Sequence, residues 1–230
     1  MLILAFESSG KAASVAIGRD DVIIDESFQN SGVTHSETLL PMAAELLERN
    51  NLKVSDVDLI ACAAGPGSFT GIRIGVSTVK GLSWAADKKC IGISTAEAMA
   101  YMLRDIDGII CTVQDARRSQ VYNALFSVKD GKVERLCSDR AISLEELSCE
   151  IEKLDVKVTL TGDGTAITSQ FLDEKGIGYN LAPDNKIMPH ASGVVLACNG
   201  REGYSSQELL PVYLRLSQAE RERQERLNLQ

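Results

Sequence analysis

The sequence predicts an α/β protein of two lobes, each a mixed β-sheet flanked by helices. Three observations carry that expectation. Apolar runs at 2–6, 13–18 and 22–25 are separated by short polar turns, which reads as an N-terminal meander of strands. From 35 to 104, stretches of helical period alternate with short apolar runs, the β-α order that lays strands parallel. At 109 the same succession starts again, with no literal repeat of residues. A meander followed by β-α units gives a mixed sheet.

In the first lobe, Thr34-His35-Ser36-Glu37 has the spacing of a capping box and opens a helix over about 35–50. Leu39, Leu40, Ala43, Leu46 and Leu47 supply its apolar face. Pro41 conflicts with that start, so the regular helix begins nearer Thr38 or bends at the proline. A buried strand at 58–64 leads into Gly65-Pro66-Gly67-Ser68-Phe69-Thr70-Gly71, and a helix follows over 71–86. A short strand at 91–93 and a helix at about 95–104 complete the lobe.

The second lobe repeats the order: strand 109–113, a turn at Asp115-Ala116-Arg117-Arg118, strand 121–128 and a hairpin turn at 129–132. Helix 143–153, strand 156–160, a Thr161-Gly162-Asp163-Gly164 turn and helix 165–174 follow, with a last helix at about 190–198. The lobes are expected to divide near 105, with 1–104 in the first and 105–204 in the second. The segment 205–230 is expected to return to the first lobe, and its charged tail at 220–226 to be solvated or frayed.

The glycine stretch at the strand-to-helix joint suits either of two roles. Backbone N–H groups and the helix dipole there can hold an anion; the same residues also make a plain tight turn. It is not a Walker loop, because Ile72-Arg73 follow Gly71, and Thr70 stands where a dinucleotide fingerprint needs glycine. Beyond it, Gly71, Gly75 and Thr78 share a helix face, with Leu82 a turn further on. An interior glycine costs about 1 kcal/mol against alanine, so something approaches that face closely: its own sheet, or a helix of another subunit.

Composition narrows the function classes. Of 230 residues, 44% are hydrophobic and 24% charged, as in an ordinary globular protein. A net charge of −8 weighs against a surface that grips nucleic acid throughout, since phosphate neutralisation needs clustered cations. The six cysteines are scattered without a Cys-x-x-Cys pair, which argues for a reducing compartment and against zinc. The apolar start is too short and lacks the basic flank of a signal peptide, and no run is long enough to span a membrane. A cytoplasmic location is expected.

Two duplicated lobes, with a polar turn after the first strand and a Gly-x-Gly turn in the second lobe, resemble the actin-like ATPase (ASKHA, ribonuclease H-like) fold. The likeness is closer in particular stretches: Phe6-Glu7-Ser8-Ser9, His35-Ser36-Glu37-Thr38-Leu39-Leu40-Pro41, Gly65 to Gly71 with Ile72-Arg73-Ile74-Gly75, Asp115-Ala116-Arg117-Arg118 and Pro211-Val212-Tyr213-Leu214-Arg215. These resemble the TsaB (YeaZ) family, over the whole length of the chain. The resemblance implies a bacterial protein needed to make threonylcarbamoyladenosine in tRNA, next to the anticodon. It implies a non-catalytic partner of the paralogue TsaD, in a complex that includes the ATPase TsaE, and a homodimer when alone. tRNA would then be met only indirectly, and no membrane is involved.

Under that resemblance the helices at 35–50 and 71–86 form the docking face, with His35, Leu39, Leu40, Met42, Ala43, Gly71, Arg73, Gly75, Thr78 and Leu82 as its residues. Arg73, a cation in the first turn of its helix, opposes the dipole and suggests a carboxylate or phosphate partner. Arg117-Arg118 reads as a solvated turn, or as a contact to RNA or a subunit. A nucleotide cleft would use Glu7, Ser8, Ser9, Lys11, Asp115, Gly162 and Gly164, with Asp115 serving either as a second acid or as a turn cap. No cofactor is expected, and ATP at the cleft would not bind strongly. No metal site is expected either: TsaD-like enzymes pair two histidines one turn apart, whereas this chain has only His35 and His190. The alternative to a scaffold is an active ATP-dependent phosphotransferase or carbamoyltransferase of the same fold, using Glu7 and Asp115.

Overall fold

The computed structural model of the chain describes residues 1–215. The charged tail read at 220–226 lies outside the described residues. The first half runs β1 (Leu2–Glu7), β2 (Ala13–Arg19), β3 (Val22–Gln29), α1 (His35–Arg49), β4 (Leu59–Gly65), α2 (Phe69–Ala86), β5 (Lys89–Ser94) and α3 (Thr95–Met102). The second half runs β6 (Gly108–Asp115), β7 (Gln120–Lys129), β8 (Lys132–Arg135), β9 (Arg140–Ser143), α4 (Leu144–Glu152), β10 (Val158–Thr161), α5 (Thr165–Lys175), β11 (Tyr179–Leu181) and α6 (Ala191–Cys198).

Each half builds one mixed sheet. The first has the order β3-β2-β1-β4-β5, antiparallel through the meander and parallel across β1, β4 and β5. The second has the order β11-β10-β6-β7-β8, with β9 also on β7 and the same division between parallel and antiparallel pairs. The duplicated meander and β-α units expected from the sequence are therefore present.

Alternation explains why β1 and β4 are central. Leu2, Leu4 and Phe6 point to the side covered by α1 and α2, while Ile3 and Ala5 point to the side covered by α6. All six residues of β1 are buried, which only a strand covered on both faces allows. At about 1.5–3 kcal/mol for each large side chain removed from water, the two faces hold the first lobe together. Helix α3 spans the lobes: Ala98 joins the first sheet's core, and Ala96, Ala100 and Leu103 join that of the second with Ile110 and Phe126.

Two expectations are corrected. Helix α1 starts at His35 and continues through Pro41, which lies on its exposed side, where water can serve the carbonyl the proline leaves unbonded. The capping box does not close on the backbone: Thr34 Oγ1 instead donates to Glu37 Oε1 at 3.0 Å. The chain also returns to the first sheet by Ala191 rather than at 205, because α6 buries Val194, Val195, Ala197 and Cys198 against it. From there 204–213 continues along the first lobe. Tyr204 pairs with Cys90, Leu209 enters the core, and Val212 N–H donates to Ala64 O at 2.7 Å.

The inter-lobe cavity and the face of α1 and α2

Strand β1 ends in the Ser8-Ser9-Gly10 turn, and the glycine loop locks onto it. Ser68 N–H donates to Ser9 O at 2.7 Å, and Ser8 Oγ donates to Gly71 O at 2.9 Å. A Cβ on Gly71 would lie 2.0 Å from Ser8 O, and one on Gly75 would lie 2.5 Å from Ser8 Oγ. The close approach foreseen for this helix face is therefore made within the chain. Gly71 and Gly75 are corrected from docking residues to seats for the β1–β2 turn. Ser68 caps α2 by accepting from Gly71 N–H at 3.2 Å.

Other expected docking residues also turn inward. Leu39, Met42 and Ala43 belong to the first core, and Leu82 is half-buried against it. Thr78 is half-buried. His35 sits at the start of α1 with Nε2 2.9 Å from Gly10 O, tying the helix to the same turn. Leu40 stays exposed. Arg73 is exposed too, and its partners among the described residues are aromatic and hydroxyl groups. Its guanidinium carbon lies 4.0 Å from the centre of Phe69, and Nε donates to the Tyr213 hydroxyl at 2.8 Å. Phe69 and Tyr213 stack at 4.3 Å.

What α2 does present outward is Ser77, Gly81 and Trp84, the last 80% exposed. Apart from its own helix, no atom of the described residues lies within 4 Å of where a Cβ on Gly81 would stand. The sequence held a signal for this that the reading above missed. Ile72, Val76, Val79 and Ser83 trace the buried stripe of α2, which leaves the chain's single tryptophan on the opposite side.

Between the lobes lies a cavity of about 610 Å³. Of the expected cleft residues it is lined by Ser9, Lys11 and Asp115, joined by Gln114, Arg117, Tyr122, Asp163, the first turn of α2, and Tyr213 and Arg215 from the C-terminal segment. Four expected residues are elsewhere. Ser8 is engaged with Gly71. Gly162 and Gly164 press on β6, where Cβ atoms would lie 1.9 Å from Val113 O and 3.0 Å from Asp115 N, so they fold the turn against the strand instead of opening it over a ligand. Glu7 is fully buried and accepts from Ser9 N–H, while its Oε2 has no partner among the described residues. Burial raises its pKa from the usual carboxylate value to about 7.

Asp115 is a turn cap: its Oδ1 accepts from Arg117 N–H at 2.7 Å. Asp163 Oδ1 accepts from Asp115 N–H at 3.2 Å, and burial raises the Asp163 pKa. Among the described residues, no group of three or more His, Cys, Asp or Glu is placed to hold a metal ion. None of their helices is long and apolar enough to cross a membrane. All six cysteines are free.

Comparison with known proteins bears on the whole chain. Residues 29–222 match the family model described as TsaD, tRNA N6-adenosine threonylcarbamoyltransferase. The tRNA threonylcarbamoyladenosine biosynthesis protein TsaB of Bacillus subtilis is 32% identical over 224 residues, 96% of each chain. The protein of the same description from Escherichia coli is 28% identical, covering 94% of this chain and 95% of its own. The solved structure of YeaZ from Pseudomonas aeruginosa superposes with a TM-score of 0.78 at 25% identity, over 93% of this chain and 99% of that one.

Proposed function

The chain belongs to the TsaB (YeaZ) family, which serves the biosynthesis of threonylcarbamoyladenosine on tRNA, and we propose that it acts there as a non-catalytic docking subunit. Its partner in this reading is a TsaD-type threonylcarbamoyltransferase, in a complex that TsaE joins. Alone, the chain pairs with a second copy through the same face, and tRNA is engaged through the partner. The observation that carries the reading is Trp84, 80% exposed on α2 beside the open Gly81, with Leu40 and Pro41 outward on the contacting helix α1. A large aromatic left in water beside a gap for another backbone is the kind of anchor that dominates binding energy at interfaces.

The acids support binding over catalysis. Glu7 is buried away from the cavity, and Asp115 and Asp163 each spend an oxygen on a backbone N–H. The reading as an active transferase needs Glu7 and Asp115 to meet substrate together, and Glu7 does not line the cavity. The test is titration with the TsaD-type protein of the same source, followed by light scattering, for the native chain and for Trp84→Glu. A heterodimer formed by the native chain and lost in the folded variant is expected. Association undiminished in Trp84→Glu, or ATP turnover by the isolated chain, overturns the reading.

A further inference from the structure

We propose that Glu7 and Gln114 share a proton, forming a buried strap between the lobes that opens as pH rises. The claim is independent of the docking reading, since Glu7 and Gln114 lie on β1 and β6 and Ser9, which joins them, on the turn after β1.

The geometry is a row of three buried side chains. Ser9 donates its N–H to Glu7 Oε1, and its hydroxyl lies against the same carboxyl. That hydroxyl also accepts from Gln114 Nε2 at 3.3 Å, a contact between the lobes across 105 positions of sequence. Glu7 and Gln114 each leave one oxygen over. Glu7 Oε2 and Gln114 Oε1 are both sealed from solvent, and neither has a hydrogen-bond partner among the described residues.

Two bare acceptors buried at one serine cost about 1–3 kcal/mol each. An ionised Glu7 would leave both unserved and add an unpaired charge. One proton on Glu7 Oε2 removes both deficits, because the acid then donates and Gln114 Oε1 accepts. The surrounding charges leave that choice to burial. His190, just before α6, favours the ionised form, but Glu26 Oε2 already holds its Nδ1 at 3.3 Å. Asp163, on the β10–α5 turn beside Lys11, favours the neutral form. Cys62 of β4 is a thiol that burial keeps protonated, and His35 of α1 is bound to Gly10 O. Burial outweighs the rest and raises the folded pKa from 4.5 to about 7. The strap is therefore whole below that value and is lost as pH rises through it.

The experiment is a carbon-13 NMR titration of the side-chain carboxyls of the full chain. Glu7 is assigned by the signal missing from Glu7→Gln, and Gln114→Met runs alongside. Glu7 should titrate near 7 in the native chain and about one pH unit lower in Gln114→Met, which removes the acceptor of its proton. Gln114→Asn, one methylene too short to reach, should show the same fall and replaces a methionine variant that does not fold. If an apolar setting alone raised the acid, methionine would leave the midpoint unchanged or push it higher, and either result overturns the proposal. So does a native midpoint near 4.5, which would mean that a water or a turned amide serves an ionised Glu7. A second readout needs no change at 114. Protection of Ser9 N–H against hydrogen exchange, corrected for the intrinsic rise with pH, should fall about tenfold between pH 6 and pH 8 in the native chain and stay level in Glu7→Gln. Level protection in both chains also overturns the proposal.

Discussion

Arg73 Nε donates to the hydroxyl of Tyr213 at 2.8 Å, joining the first turn of α2 to a residue 140 positions later in the chain. The guanidinium also lies on Phe69, and Phe69 stacks on Tyr213, so three side chains pin the C-terminal segment to the rim of the cavity. Two residues on, Arg215 donates to Ala116 O of the second lobe at 2.6 Å. The segment thus spans both lobes.

Removing that clasp should free the segment before it unfolds the lobe. Tyr213→Phe keeps the aromatic stack and loses the hydrogen bond, for a cost of about 1 kcal/mol; Arg73→Ala loses the hydrogen bond and the cation–π contact with Phe69, and costs about 1–2 kcal/mol. Limited proteolysis should show faster cleavage after 204 in Arg73→Ala than in Tyr213→Phe. Equal resistance in both variants and the native chain would mean that Leu209 and the Val212–Ala64 hydrogen bond hold the segment unaided.

Glycines of α2 should separate cleanly by what they face. Gly71→Ala drives a methyl against Ser8 O and should destabilise by roughly 2–4 kcal/mol, with Gly75→Leu at least as severe through Ser8 Oγ. Gly81→Ala meets nothing and should stabilise by about 0.5–1 kcal/mol through helix propensity. Urea unfolding of the three variants decides it, and a Gly71→Ala midpoint at or above the native one would remove the interlock with the Ser8 turn.

The single tryptophan reports docking directly. At 80% exposure, Trp84 should emit like a residue in water and shift to the blue when a partner covers it. Fluorescence titration with the TsaD-type protein, using a partner whose own tryptophans are replaced, should follow complex formation seen by light scattering. A complex that forms with no spectral change would place the interface elsewhere.

Glu7 should give the stability a pH dependence of predictable sign. Its folded pKa of about 7 exceeds the unfolded value of 4.5, so the folded state holds a proton that the unfolded state releases between those two values. Its contribution is complete below 4.5, falls as pH rises toward 7, and amounts to roughly 3 kcal/mol over that window. Glu7→Gln keeps an acceptor for Ser9 N–H and stays neutral, so it should melt higher than the native chain at pH 8 and about level with it at pH 4.5. Parallel melting curves across that range would mean that Glu7 is ionised in the fold.

Local pattern was enough for most of the elements and their order, although the short strands β9 and β11 went unread. Period-2 alternation in β1, the apolar stripe of α1, and the repeat of meander then β-α units are properties of short stretches, and short stretches decide them. The spacing of Gly71 and Gly75 likewise announced a close approach. What approached was decided elsewhere, by the parallel pairing of β1 with β4 that brings Ser8 beneath α2. The same holds for the proposed docking face. Sequence nominated two helices for it, but their inward stripes were set by the sheet they cover, which left Trp84 and Leu40 outside and drew Leu39, Met42 and Ala43 within. Long-range contacts alone made Glu7 a buried acid, brought Arg117 and Arg215 to one cavity, and folded 204–215 back across both lobes. Sequence by itself determined which elements form and in what succession, because propensity and periodicity act over a few residues. Tertiary structure decided which side chains turn outward, line a cavity or meet each other, because burial and charge depend on groups far apart in the chain.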